Sequence, residues 1–158
     1  MGHTPDYARA EGGKRAVSAE PKHLGKNITV IAAMSIVGVV AAMYCTCTFN
    51  GSGFLAFIET FLIPELRPGQ ILIMDNVGFH GTEAALELLR QAGVQVVFLP
   101  QYSPELNPIE NMWSKLKGYL KKKRVKTLEQ LQKYLKQGLR FITEHDCEAW
   151  FDHCGYAI

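Results

Sequence analysis

Residues 71–80 of the chain read ILIMDNVGFH, with four consecutive apolar residues that stop at Asp75 and Asn76. A short apolar run bounded by polar residues predicts a buried strand. In open α/β sheets, the residues that directly follow such strands lie at the edge where ligands bind. The stretch therefore predicts an α/β domain and makes Asp75 a candidate ligand residue.

Predicted helices and strands alternate on both sides of this strand. We expect strands at 28–35, 39–46, 71–74 and 94–99, and helices at 54–63, 82–91, 107–123 and 128–143. Thr82 is placed to cap the second helix, and Gly93 follows its end. We expect Trp150, Phe151 and Tyr156 to pack the C-terminal tail onto the core. Because the first two strands are antiparallel neighbours and the later ones favour parallel pairing, these elements predict a mixed sheet flanked by helices.

The segment 28–49 contains no charged residue and is long enough to cross a bilayer as a helix. Ser35 and Gly38 interrupt it, however, and its Ile, Val, Thr and Cys residues favour strands. We therefore interpret it as a hairpin that turns at Val37 and Gly38 and is buried on both faces. A membrane partner is not expected.

The composition is that of a soluble globular protein, with 47% hydrophobic and 20% charged residues in a chain of 158. This length favours one domain. The spacings of the cysteines match no common zinc site, and a chain of this size does not need disulfides. The cysteines are Cys45, Cys47, Cys147 and Cys154. We expect reduced thiols in a cytoplasmic protein.

Two acidic residues have sufficient local explanations when each is considered alone. Asp75 and Asn76 could simply open a turn. Asn107, Pro108 and Glu110 fit a helix start, in which Glu110 would bond back to the amide of Asn107 in a capping box. At this level, a structural role and a functional role remain open for both acids.

The wider pattern adds information that neither residue carries alone. Residues 98–117 read FLPQYSPELNPIENMWSKLK, and thirty-four residues lie between Asp75 and Glu110. Together with residues 71–80, this segment resembles the catalytic domain of Tc/mariner-like insertion-sequence transposases, members of the DDE superfamily with an RNase H-like fold. That family has Asp-Asn at a strand end, a His shortly after it, and a Leu-Pro-x-Tyr-Ser-Pro-x-Leu-Asn-Pro-Ile-Glu segment opening a helix. The resemblance extends from about Tyr7 to the C-terminus.

The resemblance implies metal-dependent DNA strand cleavage and strand transfer in transposition. Two Mg²⁺ or Mn²⁺ ions would stabilise the attacking and leaving oxygens at a DNA phosphodiester. Asp75 would hold one ion and Glu110 the other, while Asn76 and His80 are candidates for orienting these ligands. The implied partner is double-stranded DNA, both transposon ends and target.

A basic cluster follows Glu110 on the same predicted helix. Its members are Lys115, Lys117, Lys121, Lys122, Lys123 and Arg124. Given the resemblance, we interpret these residues as contacts for DNA phosphates. The alternative is a solvated basic helix end that is stabilised by the helix dipole.

The sequence departs from the family pattern in one respect. The family carries a first Asp on a central strand ahead of the hairpin, whereas Asp6, Glu11 and Glu20 follow no apolar strand. We expect residues 1–26 to form a connection and residues 27–158 a truncated catalytic domain that lacks its first, central strand. The missing strand would leave a gap beside Asp75, and the chain alone would be inactive.

Two explanations of this departure remain open. The chain could be the downstream product of a gene that frameshifting joins to its first half, with catalysis completed by that upstream sequence. The upstream half of the transposase and a homo-oligomer are then the further partners to expect. Alternatively, it could be a non-catalytic remnant that binds DNA, or that co-assembles with a full-length transposase and inhibits it.

Overall fold

The computed structural model describes residues 28–46, 49–75 and 83–157. The elements are β1 (Thr29–Ser35), β2 (Gly38–Cys45), α1 (Gly51–Phe57), β3 (Ile71–Met74), α2 (Glu83–Gln91), β4 (Gln95–Phe98), α3 (Pro108–Lys122), α4 (Leu128–Arg140) and α5 (Glu144–His153). Four features of the sequence analysis lie outside the described residues. They are the connection at 1–26, the thiol of Cys47, the orienting residues Asn76 and His80, and the cap Thr82.

The apolar segment at 28–49 forms the predicted hairpin. β1 and β2 pair antiparallel from Thr29 opposite Cys45 to Ser35 opposite Gly38, with an irregularity between Ala33 and Met34. Both faces of the hairpin are packed, as expected, since Ile31 and Ala33 pack against one buried cluster and Ala32 and Met34 against another. The burial is partial, and Ala41 is the one fully buried residue of the two strands. No helix among the described residues is both long and apolar enough to cross a membrane.

β3 and β4 form a parallel pair, in which Ile71 lies opposite Gln95 and Met74 opposite Phe98. The predicted bounds of β3 are confirmed, but the strand is half-buried rather than buried, and Ile71 is 60% exposed. β4 is shorter than the predicted 94–99. β4 is not a buried strand, because it lies at the edge of a two-stranded sheet, with Val97 39% and Phe98 38% exposed. The α/β class with antiparallel and parallel pairing is thus confirmed. Among the described residues, the two pairs form separate two-stranded sheets.

One buried cluster joins α1 and α2 to the sheets. The helix at 51 begins earlier than predicted because the side chain of Asn50 accepts a hydrogen bond from the amide of Gly53 (3.1 Å). It continues through a π-helical turn to Leu62 and a 3₁₀ turn that ends at Glu65. The buried residues of the cluster are Ala41, Phe54, Phe57, Ile58, Leu62, Ala85, Leu89 and Val94.

A second buried cluster joins α3 to α5 and contains Met112, Ile142 and Cys147. The predicted single helix at 128–143 ends instead at Arg140, and α5 follows as a separate helix. The reason is local: Thr143 and Asp146 form a capping box, which starts a new helix at this point.

The C-terminal aromatic residues pack as predicted. Trp150 packs against the second cluster, and the rings of Phe151 and Tyr156 lie edge to face with centroids 5.7 Å apart. The hydroxyl of Tyr156 donates to the carbonyl of Leu106 (2.8 Å). This bond connects the end of the chain to the loop before α3.

Two helical glycines, Gly118 in α3 and Gly138 in α4, differ in the space available for a side chain. A Cβ at Gly138 would overlap the side chain of Leu116 and lie 3.0 Å from Tyr119, whereas a Cβ at Gly118 would meet nothing within 4 Å. Gly138→Ala should therefore destabilise the fold by about 1–3 kcal/mol through overpacking. Gly118→Ala should instead stabilise it by about 0.5–1 kcal/mol. Urea unfolding of both variants measures the difference, and equal effects would contradict this packing.

The ion pair between Lys115 and Asp146 joins α3 to α5 and should make stability depend on pH. The Lys115 ammonium, with the backbone and hydroxyl of Thr143, lowers the pKa of Asp146 from 3.8 to about 2. A carboxyl group whose pKa is lowered by folding stabilises the folded state at pH values above its ordinary pKa. This stabilisation is lost as the pH falls through the lowered pKa. Lys115→Met should therefore cost about 0.5–1 kcal/mol near neutral pH, since the pair is partly exposed.

The difference between this variant and the parent should disappear as the pH approaches about 2, as measured by urea unfolding. Lys133→Met is the matched control, since Lys133 is exposed on α4 and forms no ion pair among the described residues. A Lys115→Met difference that stays constant down to that pH would contradict the assignment.

Candidate active site

Because β3 and β4 are parallel, the residues that follow them, Asp75 and the loop from Leu99, lie at the same edge of the sheet. The amide of Leu99 donates to the carbonyl of Met74 (2.9 Å), which continues the β3–β4 pairing up to the residue before Asp75. The loop from Leu99 then passes through a 3₁₀ turn at Pro104–Leu106. Prolines in this loop limit its freedom, and Tyr156 holds the carbonyl of Leu106. The loop therefore starts α3 close to the end of β3.

Asp75 and Glu110 both line a cavity of about 350 Å³ at this position. Its remaining lining comes from the 99–107 loop. Both acidic residues are exposed to solvent. The structure thus brings together the two acids that the sequence analysis selected. Asn76 and His80 lie outside the described residues.

The capping-box explanation of Glu110 fails in the structure. Asn107 is the N-cap of α3, but its side chain makes no capping hydrogen bond. The amide of Glu110 donates to the carbonyl of Asn107 (3.1 Å), and within the described part of the chain its carboxylate makes no hydrogen bond or ion pair. Thr143 and Asp146 provide a comparison, since there both bonds of the box are present. Glu110 is therefore available for a ligand.

Tyr102 also lines this cavity, and the sequence analysis gave it no role. Its side chain is 96% exposed, and its backbone is left-handed with φ of +60°. A non-glycine residue in this conformation costs on the order of 1 kcal/mol, and such residues concentrate at functional sites. The sequence did contain a signal for Tyr102, because an aromatic residue is unusual in a segment of Pro and Ser that is otherwise typical of a turn.

The six predicted basic residues divide into two groups in the structure. Lys115 is paired with Asp146. The Lys123 ammonium lies 5.2 Å from the ring centre of Tyr119 and 5.5 Å from that of Tyr134. The other four are exposed and have no ion-pair partner among the described residues: Lys117, Lys121, Lys122 and Arg124.

Two of these four exposed residues, Lys117 and Lys121, lie on the face of α3 that carries Glu110. Lys117 and Lys121 follow Glu110 by seven and eleven residues, so they lie on nearly the same face of α3. Met112 and Leu116 are buried on the other face. A cavity with two carboxylates therefore continues into a row of exposed ammonium groups.

The donors at the cavity suit a hard divalent cation. Carboxylate oxygens are the ligands that Mg²⁺ and Mn²⁺ prefer, and Mg²⁺ uses few of them while keeping waters. Asp75 and Glu110 fit two such ligands. Among residues 28–46, 49–75 and 83–157, no group of three His, Cys, Asp or Glu could hold a metal ion.

Comparison with solved structures shows the fold. The chain superimposes on a pre-cleavage Mos1 transpososome with a TM-score of 0.79 and 17% identity, covering 94% of this chain and 47% of that one. The isolated catalytic domain of Mos1 mariner transposase matches with a TM-score of 0.67 and 17% identity, over 80% of this chain and 68% of that domain. The predicted RNase H-like fold of the Tc/mariner type is confirmed.

Sequence comparison gives a curated relative and a family. An uncharacterized protein, y4pE/y4sA of Sinorhizobium fredii (strain NBRC 101917 / NGR234), is 32% identical over 81 residues, which are 51% of this chain and 50% of that protein. The chain thus spans about half the length of this relative and of the complete Mos1 chain. A family model described as DDE superfamily endonuclease matches residues 1–132. Since this match covers most of the sequence, the chain belongs to the DDE superfamily endonucleases.

Proposed function

We propose that this chain is the catalytic part of a DDE transposase, and that Asp75 and Glu110 bind divalent metal ions for DNA strand cleavage and strand transfer. The observation that carries the proposal is the position of Glu110. Its carboxylate has no capping role and lines the same cavity as Asp75. Relatives of the same fold support it, since solved structures include a Mos1 paired-end complex with Mn and the Mos1 catalytic domain with Mg.

When bound, the two ions would stabilise the attacking and leaving oxygens of an in-line displacement at a phosphodiester. The residues of this chain supply position and charge. Asp75 extends from a strand held by a paired neighbour, and Glu110 lies in the first turn of α3. Because both come from regular elements, their separation is constrained before a metal or DNA binds.

Other residues around the cavity suit a nucleic acid. Lys117 and Lys121 lie on the Glu110 face of α3, where they would meet DNA phosphates. Lys122 and Arg124 extend this charge, whereas Lys115 and Lys123 already have partners within the fold. We assign Tyr102 a contact with an unstacked base, because an exposed aromatic ring offers a stacking surface of that kind.

The proposed site needs a third carboxylate that the described residues do not supply. We propose that Asp75 and Glu110 by themselves do not support strand cleavage, and that a third carboxylate completes the site. The second candidate function is a non-catalytic module that binds DNA or co-assembles with a complete transposase.

Substitution of the two acids tests the metal site. Asp75→Asn and Glu110→Gln should each weaken Mn²⁺ binding on the order of tenfold or more, because each removes an anionic oxygen ligand. Water-proton relaxation during a Mn²⁺ titration measures this affinity. Glu105→Gln is the matched control, since Glu105 is an exposed acid in the same loop that does not line the cavity. Unchanged binding in Glu110→Gln would refute the proposed pair.

Charge removal on α3 tests the DNA contact. In Lys117→Ala/Lys121→Ala, duplex affinity should fall, and the slope of log affinity against log salt should become shallower by roughly 0.9 for each lost phosphate contact. Fluorescence anisotropy at several salt concentrations measures both. Lys133→Ala/Lys136→Ala removes two exposed charges from α4 and should leave the slope unchanged. An equal change in both double variants would indicate a non-specific effect of net charge.

A further inference from the structure

Helix α5 runs antiparallel to the first half of α3 and contacts it at both of its ends. Lys115 of α3 forms an ion pair with Asp146 in the first turn of α5. The side-chain amide of Asn111, one turn earlier in α3, lies 4.0 Å from the Sγ of Cys154, which directly follows α5. The residues after α5 are therefore close to the part of α3 that carries Glu110.

These residues turn back toward the loop that precedes α3. Gly155 has a φ of +85°, a left-handed conformation that ends the helix. The amide of Tyr156 donates to the carbonyl of Phe151 (3.0 Å), and the two rings lie edge to face. Burial, and then the charge of Cys154, raises the pKa of Tyr156 above its ordinary value of 10.0, so the hydroxyl keeps its proton near neutral pH. This hydroxyl donates to the carbonyl of Leu106 (2.8 Å).

The start of α3 lacks the side-chain bond that commonly fixes the beginning of a helix. The first four amides of a helix have no acceptor within it, and the side chain of the N-cap Asn107 accepts from none of those of α3. Its carbonyl accepts from the amide of Glu110 (3.1 Å). Leu106, whose carbonyl Tyr156 holds, directly precedes this N-cap. The hydroxyl of Tyr156 thus restrains the chain at the place where a capping side chain would act.

The position of the Glu110 carboxylate depends on this restraint. Glu110 lies in the first turn of α3, and its exposed side chain lines the same cavity as Asp75. Because an exposed side chain has little packing around it, its location follows that of its backbone. Metal ligands need placement to within about 0.5 Å, so fraying of this turn would disturb the separation of the two carboxylates.

We propose that Tyr156 is a positioning residue for Glu110: its hydroxyl holds the carbonyl of Leu106, fixes the start of α3 and sets the distance from Glu110 to Asp75. Tyr156 lines neither cavity beside the two acids, so it acts through the backbone and not by contact with a ligand. The inference rests on the proposed metal function, since affinity for a divalent cation is what this distance determines.

Removal of one hydroxyl tests the proposal, because Tyr156→Phe keeps the ring against Phe151. Loss of a direct hydrogen-bond partner of a metal ligand costs about 10–100-fold in affinity, and Tyr156 acts one step further away, so we expect a loss of about three- to tenfold. Water-proton relaxation during a Mn²⁺ titration measures it. Tyr119→Phe is the matched control, since the Tyr119 hydroxyl joins α3 to Gln137 of α4 (3.3 Å) and should not affect the affinity. Equal losses in both variants would overturn the proposal.

A double-mutant cycle separates positioning from a general loss of structure. In a Glu110→Ala background, adding Tyr156→Phe should weaken Mn²⁺ binding no further, because the ligand that it positions is absent. In a Glu105→Gln background, the loss should equal that in the parent chain, since Glu105 is exposed and lines neither cavity. The same further loss in both backgrounds would show that Tyr156 does not act through Glu110.

Hydrogen exchange tests the structural step without a metal. The amide of Glu110 should exchange at least about fivefold faster in Tyr156→Phe, because local opening of the first turn becomes easier. The amide of Leu116, a buried residue in the middle of α3, should keep its rate. An unchanged rate at Glu110, or equal acceleration at Leu116, would overturn the positioning role.

The two readouts distinguish failure of this inference from failure of the metal function. If Glu110→Ala leaves Mn²⁺ affinity unchanged, the metal function is refuted, whereas faster exchange at Glu110 in Tyr156→Phe still supports control of this helix start by Tyr156. If Glu110→Ala weakens Mn²⁺ binding and Tyr156→Phe does not, the metal function stands and the positioning role is refuted.

Discussion

The hydrogen bond from the Leu99 amide to the Met74 carbonyl, at 2.9 Å, is the constraint on which the candidate site depends. It extends a parallel pairing in which Met74 lies opposite Phe98, so the chain leaves β3 and β4 at the same level. A slip of one residue would reverse which face each side chain of β4 occupies. The loop that follows could then no longer start α3 beside Asp75, and Glu110 would not share its cavity.

Residues of the two buried clusters, or residues packed against them, line a largely apolar cavity of about 1010 Å³. The cluster of α1 and α2 contacts β1, β2 and β3, while the cluster of α3 and α5 contacts the hairpin through other residues of β1 and β2. The hairpin is half-buried, and among the described strands β1 pairs with β2 and β3 pairs with β4.

Local sequence signals predicted much of the fold, whereas Asp75 and Glu110 were selected as candidate ligands by the wider pattern and its resemblance to a known family. The apolar run at 71–74 identified β3, and Asn107 with Pro108 identified the start of α3. Periodicity could not reveal that Lys115 is paired with Asp146, because that partner lies thirty-one residues away. The break before α5 was missed although its signal is local: Thr143 and Asp146 differ from the usual Ser/Thr-x-x-Glu box only in the length of the acid. The same pattern at Asn107 and Glu110 predicted a box that does not form, which shows that spacing alone does not establish a cap.

The most direct measurement of the central claim is paramagnetic broadening in NMR spectra during a Mn²⁺ titration. If Asp75 and Glu110 bind one metal centre, their amide signals should broaden together at the same Mn²⁺ concentration. Broadening at both positions should be lost in Asp75→Asn and in Glu110→Gln. Persistent broadening at Glu110 in the Asp75→Asn variant, or broadening spread evenly over the exposed acids of the chain, would contradict the account.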